Sequence, residues 1–271
     1  MNARNKSGIG LAVVGMLLLP AGTATAAIPM PYSTDANTVA LYHFDGENPD
    51  DAGMLADSSG NGYNLTPNGV DPLGSSATPA LLNAWDAEGA FEGTFVSGPT
   101  VAAGTDWTVE TLLNTRSFVG AVPGERRNYL VFDSGEQFGY RPDGFFQMII
   151  GGTSQSSIAN QVALEEWIHI AVTYDASSGE VTIFKNGTDI SGGSSAAPVS
   201  EGLSGTFRLG HNAGNFDQWF DEVRISNTIR TFEPFVISEP ATVIPEPATV
   251  MLLAAGGLFV GTRNRRQGRC C

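Results

Sequence analysis

Apart from its two ends, the chain carries its hydrophobic residues in period-two alternation or in short unbroken runs, never over ten or more residues at helical spacing. Clusters of Gly, Asn, Asp and Ser separate these runs, so the pattern predicts an all-β fold of strands joined by turns. The first strand is expected at 38–44. There Val39, Leu41 and His43 alternate with Ala40, Tyr42 and Phe44, so both faces carry apolar groups and the strand should be buried. Further strands are expected at 90–96, 107–114, 129–133 and 145–150, the last two joined by a Gly-rich loop that holds Tyr140. The clearest hairpin runs from 167 to 175, turns at 176–179 and returns along 180–185 into Asn186-Gly187, a strong two-residue turn signal. Strands at 206–209 and 218–226 complete the set.

The termini follow different rules. Arg4 and Lys6 precede an apolar run at 9–19, and Ala24-Thr25-Ala26 has the small-residue pattern of a signal peptidase site. Cleavage is expected after Ala26, making 1–26 a signal peptide. At the other end Pro245-Glu246-Pro247 leads into an apolar run at 248–261 and then Arg263, Arg265, Arg266 and Arg269. As a transmembrane helix, 248–261 would reach about 21 Å, short of the ~30 Å hydrocarbon core, so the arginines must snorkel or the bilayer thin. Positive charge marks the cytoplasmic side, which puts everything before Pro245 outside. This triplet, span and basic tail in sequence resemble the bacterial PEP-CTERM sorting signal. The resemblance implies an exosortase, a membrane transpeptidase that reads the triplet and removes the tail as the protein reaches the cell surface. The expected organisation is a signal peptide at 1–26, one domain at 27–235, a linker at 236–244 and the sorting signal at 245–269.

Charge sharpens the picture. All 28 acidic residues lie between Asp35 and Glu246, against 8 of the 14 basic ones, a net charge of −20 for the exported part. Nucleic acid and anionic lipid are disfavoured as partners, whereas bound cations are compatible. The only cysteines, Cys270 and Cys271, follow the arginines, so the domain is expected to stand without disulfides, on its own hydrophobic core.

One internal segment suggests a ligand. Asp57, Ser59 and Asn61 followed by Gly62 match the first half of a calcium loop, yet position 68 is Asn68 where a bidentate Glu would complete an EF-hand. Two readings stay open: a calcium site, or a turn in which Asp and Asn side chains bond their own backbone.

Four blocks carry a family resemblance: Leu41-Tyr42-His43-Phe44-Asp45, the segment 57–62, the hairpin from 167 to Asn186-Gly187, and Phe220-Asp221-Glu222-Val223-Arg224-Ile225-Ser226. In this order they resemble laminin-G-like, concanavalin A-like lectin domains. The resemblance implies a two-sheet antiparallel jelly-roll sandwich with its first and last strands adjacent. It further implies a structural Ca2+ near Asp45, Asp57, Asn61 and Asp221, with Asp221 rather than Glu222 turned towards the ion.

Catalytic chemistry finds no support in the residues. Relatives that hydrolyse glycosides place paired carboxylates as Glu-x-Asp-x-Glu on one strand, and that spacing is missing; Glu165-Glu166 is expected to be a solvated strand entry. His43, His169 and His211 lack ligand spacing, and a nucleophile elbow is missing too. Trp85, Tyr140 and Trp219 are candidate platforms for stacking on sugar rings, while Trp107 and Trp167 are expected in the core. The sequence therefore points to a non-enzymatic exported surface protein, an adhesion, matrix or carbohydrate-binding module. Its alternatives are an enzyme acting on extracellular polysaccharide and a purely structural envelope component.

Overall fold

A computed structural model describes residues 31–45, 55–68, 74–76, 84–86, 95–117, 126–193, 202–210, 218–235 and 237. Both termini, with Ala26, Pro245, Glu246, Pro247 and the apolar run at 248–261, lie outside the described residues, as does His211. No described helix is long and apolar enough to cross a membrane.

Among the described residues fifteen strands follow in order: β1 (Thr38–Tyr42), β2 (Thr66–Asn68), β3 (Gly74–Ser76), β4 (Ala84–Asp86), β5 (Phe95–Gly104), β6 (Trp107–Thr115), β7 (Arg127–Phe132), β8 (Gln137–Tyr140), β9 (Phe146–Ile150), β10 (Thr153–Ser156), β11 (Trp167–Asp175), β12 (Glu180–Lys185), β13 (Thr188–Asp189), β14 (Leu203–Leu209) and β15 (Gln218–Ser226). They form two antiparallel sheets, a jelly-roll sandwich. The first runs β13-β12-β11-β6-β15-β4-β3, and the second runs β10-β9-β8-β7-β14-β5-β2. β1 shares the outer edge of β15 with β4: Trp219 and Phe220 pair with β4, and the stretch from Val223 to Ser226 pairs with β1. First and last strands are therefore neighbours, as the resemblance implied.

The core lies between the sheets, and period two explains who enters it. On β6, Trp107, Val109 and Leu113 turn inwards; on β11, Ile168, Ile170, Val172 and Tyr174; on β15, Phe220, Val223 and Ile225. From the second sheet, Leu130, Phe132, Phe138, Phe146, Met148 and Phe207 meet them. Ring pairs such as Trp107 stacked on Tyr174, with centroids 5.5 Å apart, add directional packing to the apolar burial.

One expectation falls mostly outside the described residues and another needs correction. Of the strand expected at 90–96, only 95 and 96 are described, at the start of β5, which runs from Phe95 to Gly104 through a Ser-Gly-Pro stretch whose glycine is required. A Cβ on Gly98 would stand 2.1 Å from the Phe207 ring, so the core side chain opposite fixes that residue. Tyr140 lies not in a loop but at the end of β8, buried in the core at 1% exposure, where it cannot serve as a sugar platform.

Candidate functional site

The outer face of the first sheet carries the chemistry. The residues of β6 that do not face the core are Thr108, Glu110, Leu112 and Asn114, and their cross-strand partners define a grid. Asn114 lies between Trp167 and Trp219, Leu112 between His169 and Asp221, and Glu110 between Ala171 and Arg224. Two terminal segments cross this face: 31–37 leads into β1, and 227–235 follows β15.

Glu110 is the electrostatic centre. Its Oε2 meets His169 Nε2 at 3.0 Å, and its Oε1 accepts from Arg224 Nε at 2.8 Å and from the second arm of the guanidinium at 2.7 Å. Burial alone would raise this carboxyl, but its His169 and Arg224 partners outweigh that and hold it below the ordinary glutamate range. Arg224 lies over the Tyr32 ring at 4.5 Å, and Phe232 and Phe235 close on the His169 ring at 5.1 and 5.3 Å. Burial, reinforced by the nearby Glu110 carboxylate, pushes the Tyr32 phenol well up.

A bulge in β15 supplies the next part. Register slips between Asp221 and Arg224, with Glu222 at φ 52°, a left-handed conformation unusual for a glutamate. Strict alternation would turn only one of Asp221 and Glu222 towards the outer face. The bulge breaks that rule, and both are buried at 1% exposure. Glu222 accepts from the Tyr32 amide at 2.7 Å and pairs with His43 Nδ1 at 2.8 Å, which raises the histidine's affinity for its proton. Asp221 Oδ1 accepts from the Glu222 amide at 2.7 Å, while its Oδ2 has no partner. Burial first, then the Glu222 charge, pushes the Asp221 carboxyl well up.

The residues read as calcium ligands do not converge on one donor set. Asp57 Oδ1 accepts from the amides of Leu41 and Ser59, and its Oδ2 accepts from Ser59 Oγ and the Tyr63 amide. Asn61 donates to the carbonyls of Val39 at 2.9 Å and Thr38 at 3.3 Å. The loop thus covers the edge of β1, whose other edge is taken by β15, and its acceptors are spent there. Asp45 is exposed, and no group of three acidic, histidine or cysteine side chains among the described residues is placed to hold a metal. The residues present do not fit the calcium centre that the resemblance implied.

Trp219 is also less available than its sequence context suggested. It stacks on Trp167 at 6.2 Å and 23°, and the Arg116 guanidinium lies 4.6 Å from its ring centre. Trp167 is half-buried beside it on this face rather than in the core. Trp85 belongs to β4, and its side chain lies outside the described residues. Glu165 and Glu166 are exposed, as expected of a strand entry.

What the sequence missed is a cleft of about 400 Å³ beside this network, under the segment that follows β15. Glu110, Arg224 and Arg230 line its floor, with Asn37, Thr228, Ile229, Thr231 and Phe232 around them. Residues remote in sequence build it, and no local spacing marks it.

Comparison with known proteins agrees with the architecture. A model of the concanavalin A-like lectin/glucanases superfamily matches residues 88–233. The chain belongs to that superfamily. A model of the PEP-CTERM protein-sorting motif matches residues 243–266, which identifies the tail as a sorting signal. No curated protein matches the chain. Among solved structures, the binding domain of Paraclostridial Mosquitocidal Protein 1 is 15% identical, with a TM-score of 0.54 over 72% of this chain and 50% of that one. The botulinum neurotoxin serotype D ligand binding domain, solved with N-acetylneuraminic acid, is 10% identical, with a TM-score of 0.53 over 72% and 48%. A botulinum neurotoxin DC binding domain, solved with rat synaptotagmin II, is 15% identical, with a TM-score of 0.53 over 72% and 49%. The chain spans about half the length of these structures, and at such identities the likeness is one of fold.

Proposed function

We propose that this lectin-like domain is an exported, non-catalytic surface module that binds extracellular glycan or matrix polysaccharide. Signal peptidase cuts after Ala26 on export. The sorting tail then holds the chain in the membrane through 248–261 until an exosortase acts at Pro245-Glu246-Pro247.

One observation carries the non-catalytic reading: the buried carboxylates of the outer face are engaged in structural pairs. Glu110 is consumed by His169 and Arg224, and Glu222 by His43 and the Tyr32 amide. Only Asp221 keeps an oxygen without a partner. Glycoside hydrolysis needs two carboxyl groups about 5–10 Å apart, each able to exchange a proton or attack the sugar. Sugar-complexed toxin binding domains of the same fold support a binding role by analogy only.

Incubation of the full chain with bacterial and plant polysaccharides tests this. Retention on immobilised polysaccharide without release of reducing ends is the expected result. Turnover of any of them by the wild-type chain would replace the binding module with an enzyme.

A further inference from the structure

A cleft lies where the two terminal segments flank the Glu110 network, and we infer that it holds one neutral, hydroxyl-rich saccharide unit. This rests on the binding role proposed above and assigns it a place and a ligand class.

Size and lining decide the class. A volume of about 400 Å³ falls within the ~300–1,000 Å³ of small-molecule sites. Its floor is made of planar groups, the Glu110 carboxylate and the guanidiniums of Arg224 and Arg230, with the exposed Asn37 side chain at the rim. Guanidinium N–H groups left over from the ion pairs can donate to sugar hydroxyls, and the Asn37 amide can both donate and accept. Ile229, 41% exposed, and the half-buried Phe232 supply an apolar wall for the C–H face of a pyranose.

Charge argues against an acidic ligand. Arg224 is held by Glu110, and Arg230 by Asp35 through two hydrogen bonds of 2.9 Å, so two positive charges meet two negative ones. An incoming carboxylate would have to displace a carboxylate already in place. A neutral polyol uses the N–H groups that project from the pairs and leaves the pairs intact. The same saturation fixes the floor before the ligand arrives, so binding costs little reordering.

The test uses the full chain and its Asn37→Ala and Ile229→Asp variants. Both changes fall on exposed rim positions and leave the Glu110 network untouched. Probes are neutral gluco-, manno- and galacto-oligosaccharides, with oligogalacturonate as the acidic comparison, followed by calorimetry or by the shift in melting temperature. The expected result is binding of a neutral probe that each variant weakens roughly fivefold to tenfold, the scale of one hydrogen bond or one apolar contact. Neutral binding unchanged in both variants would overturn the location while sparing the binding role. Preference for oligogalacturonate would overturn the ligand class. No binding of any probe would overturn the site together with the glycan reading beneath it.

Discussion

Asp35 and Arg230 meet head-on: Arg230 donates to Asp35 Oδ2 and Oδ1 at 2.9 Å each, tying the segment before β1 to the segment after β15. Arg230 Nε also donates to Ser226 Oγ at 2.7 Å, so the clasp is anchored on the sheet. The Arg230 hydrogen bond holds the Asp35 carboxyl well below its usual range. A depressed folded-state pKa contributes stability above the unfolded value of about 3.9 and loses it as pH falls through the folded one. Because Asp35 is exposed, the contribution is modest. Arg230→Ala is expected to cost about 1 kcal/mol at neutral pH, less in high salt, and least in strong acid. Urea unfolding at several pH values checks this; an equal loss at every pH would show that packing, not the ion pair, matters.

Glu110 is different because its partners are buried with it. Glu110→Ala strands the Arg224 guanidinium and His169 Nε2 beneath Tyr32 and Phe235, and removing one member of a buried pair costs about 3–5 kcal/mol. Chemical denaturation should show a loss of that size. A loss below about 1 kcal/mol would mean that water reaches the network.

These two sites differ in how far the sequence reveals them. The strands at 167–175, 180–185 and 218–226 were legible to the residue, since alternation and turn chemistry are local signals. Glu110, Arg224 and Arg230 were not, because each reads as an ordinary charge on a strand or loop until cross-strand register brings them together. The segment 57–62 shows the opposite difficulty. Oxygen-rich side chains at alternate positions suit calcium and suit an edge cap equally, and in the structure Asp57 and Asn61 bond to the free edge of β1. Tyr140 failed as a platform because exposure is a property of packing: it is sealed in the core, whereas Trp219 is half-buried, stacked on Trp167 with the Arg116 guanidinium over its ring.

Since Asp57 and Asn61 are spent on β1, removing divalent cations is expected to leave the melting temperature of the chain unchanged. Differential scanning calorimetry with and without chelator checks this. A clear fall on chelation, restored by calcium, would return a metal to the Asp45 and Asp221 region.

Asp221 sets a pH dependence of opposite sign to Asp35. Its folded pKa is raised by burial and by Glu222, so the folded state holds a proton that the unfolded chain releases near pH 4. The associated stability is complete below that value and declines as pH rises towards the folded pKa. Asp221→Asn keeps the acceptor for the Glu222 amide and removes the ionisation. The variant should be more stable than wild type at neutral pH, with the difference closing in acid. Melting curves from pH 4 to 8 settle it, and a variant less stable at pH 7 would contradict the raised pKa.

Among the described residues, the contact at Phe235 on the way to the sorting tail depends on a single missing side chain. Asn186 and Gly187, at φ 49° and 74°, form the turn between β12 and β13. The Asn186 carbonyl accepts from the Phe235 amide at 3.0 Å, and its Oδ1 accepts from the His169 amide at 2.8 Å. A Cβ on Gly187 would stand 2.0 Å from the Glu233 carbonyl oxygen and 3.0 Å from the Phe235 ring. Gly187→Ala therefore meets two penalties, about 1 kcal/mol for the left-handed backbone and a further cost for lifting the segment that carries Phe232 and Phe235. The total expected loss is about 2–3 kcal/mol, small enough for the sandwich to stay folded while the segment frees itself. Chymotrypsin should then cut after Phe232 or Phe235 several times faster than in wild type, with the fragment up to β15 still resistant. Unchanged cleavage would mean that Gly187 is there for the turn alone, and that the segment leading to the sorting signal is held by its aromatic contacts with His169 and Phe184.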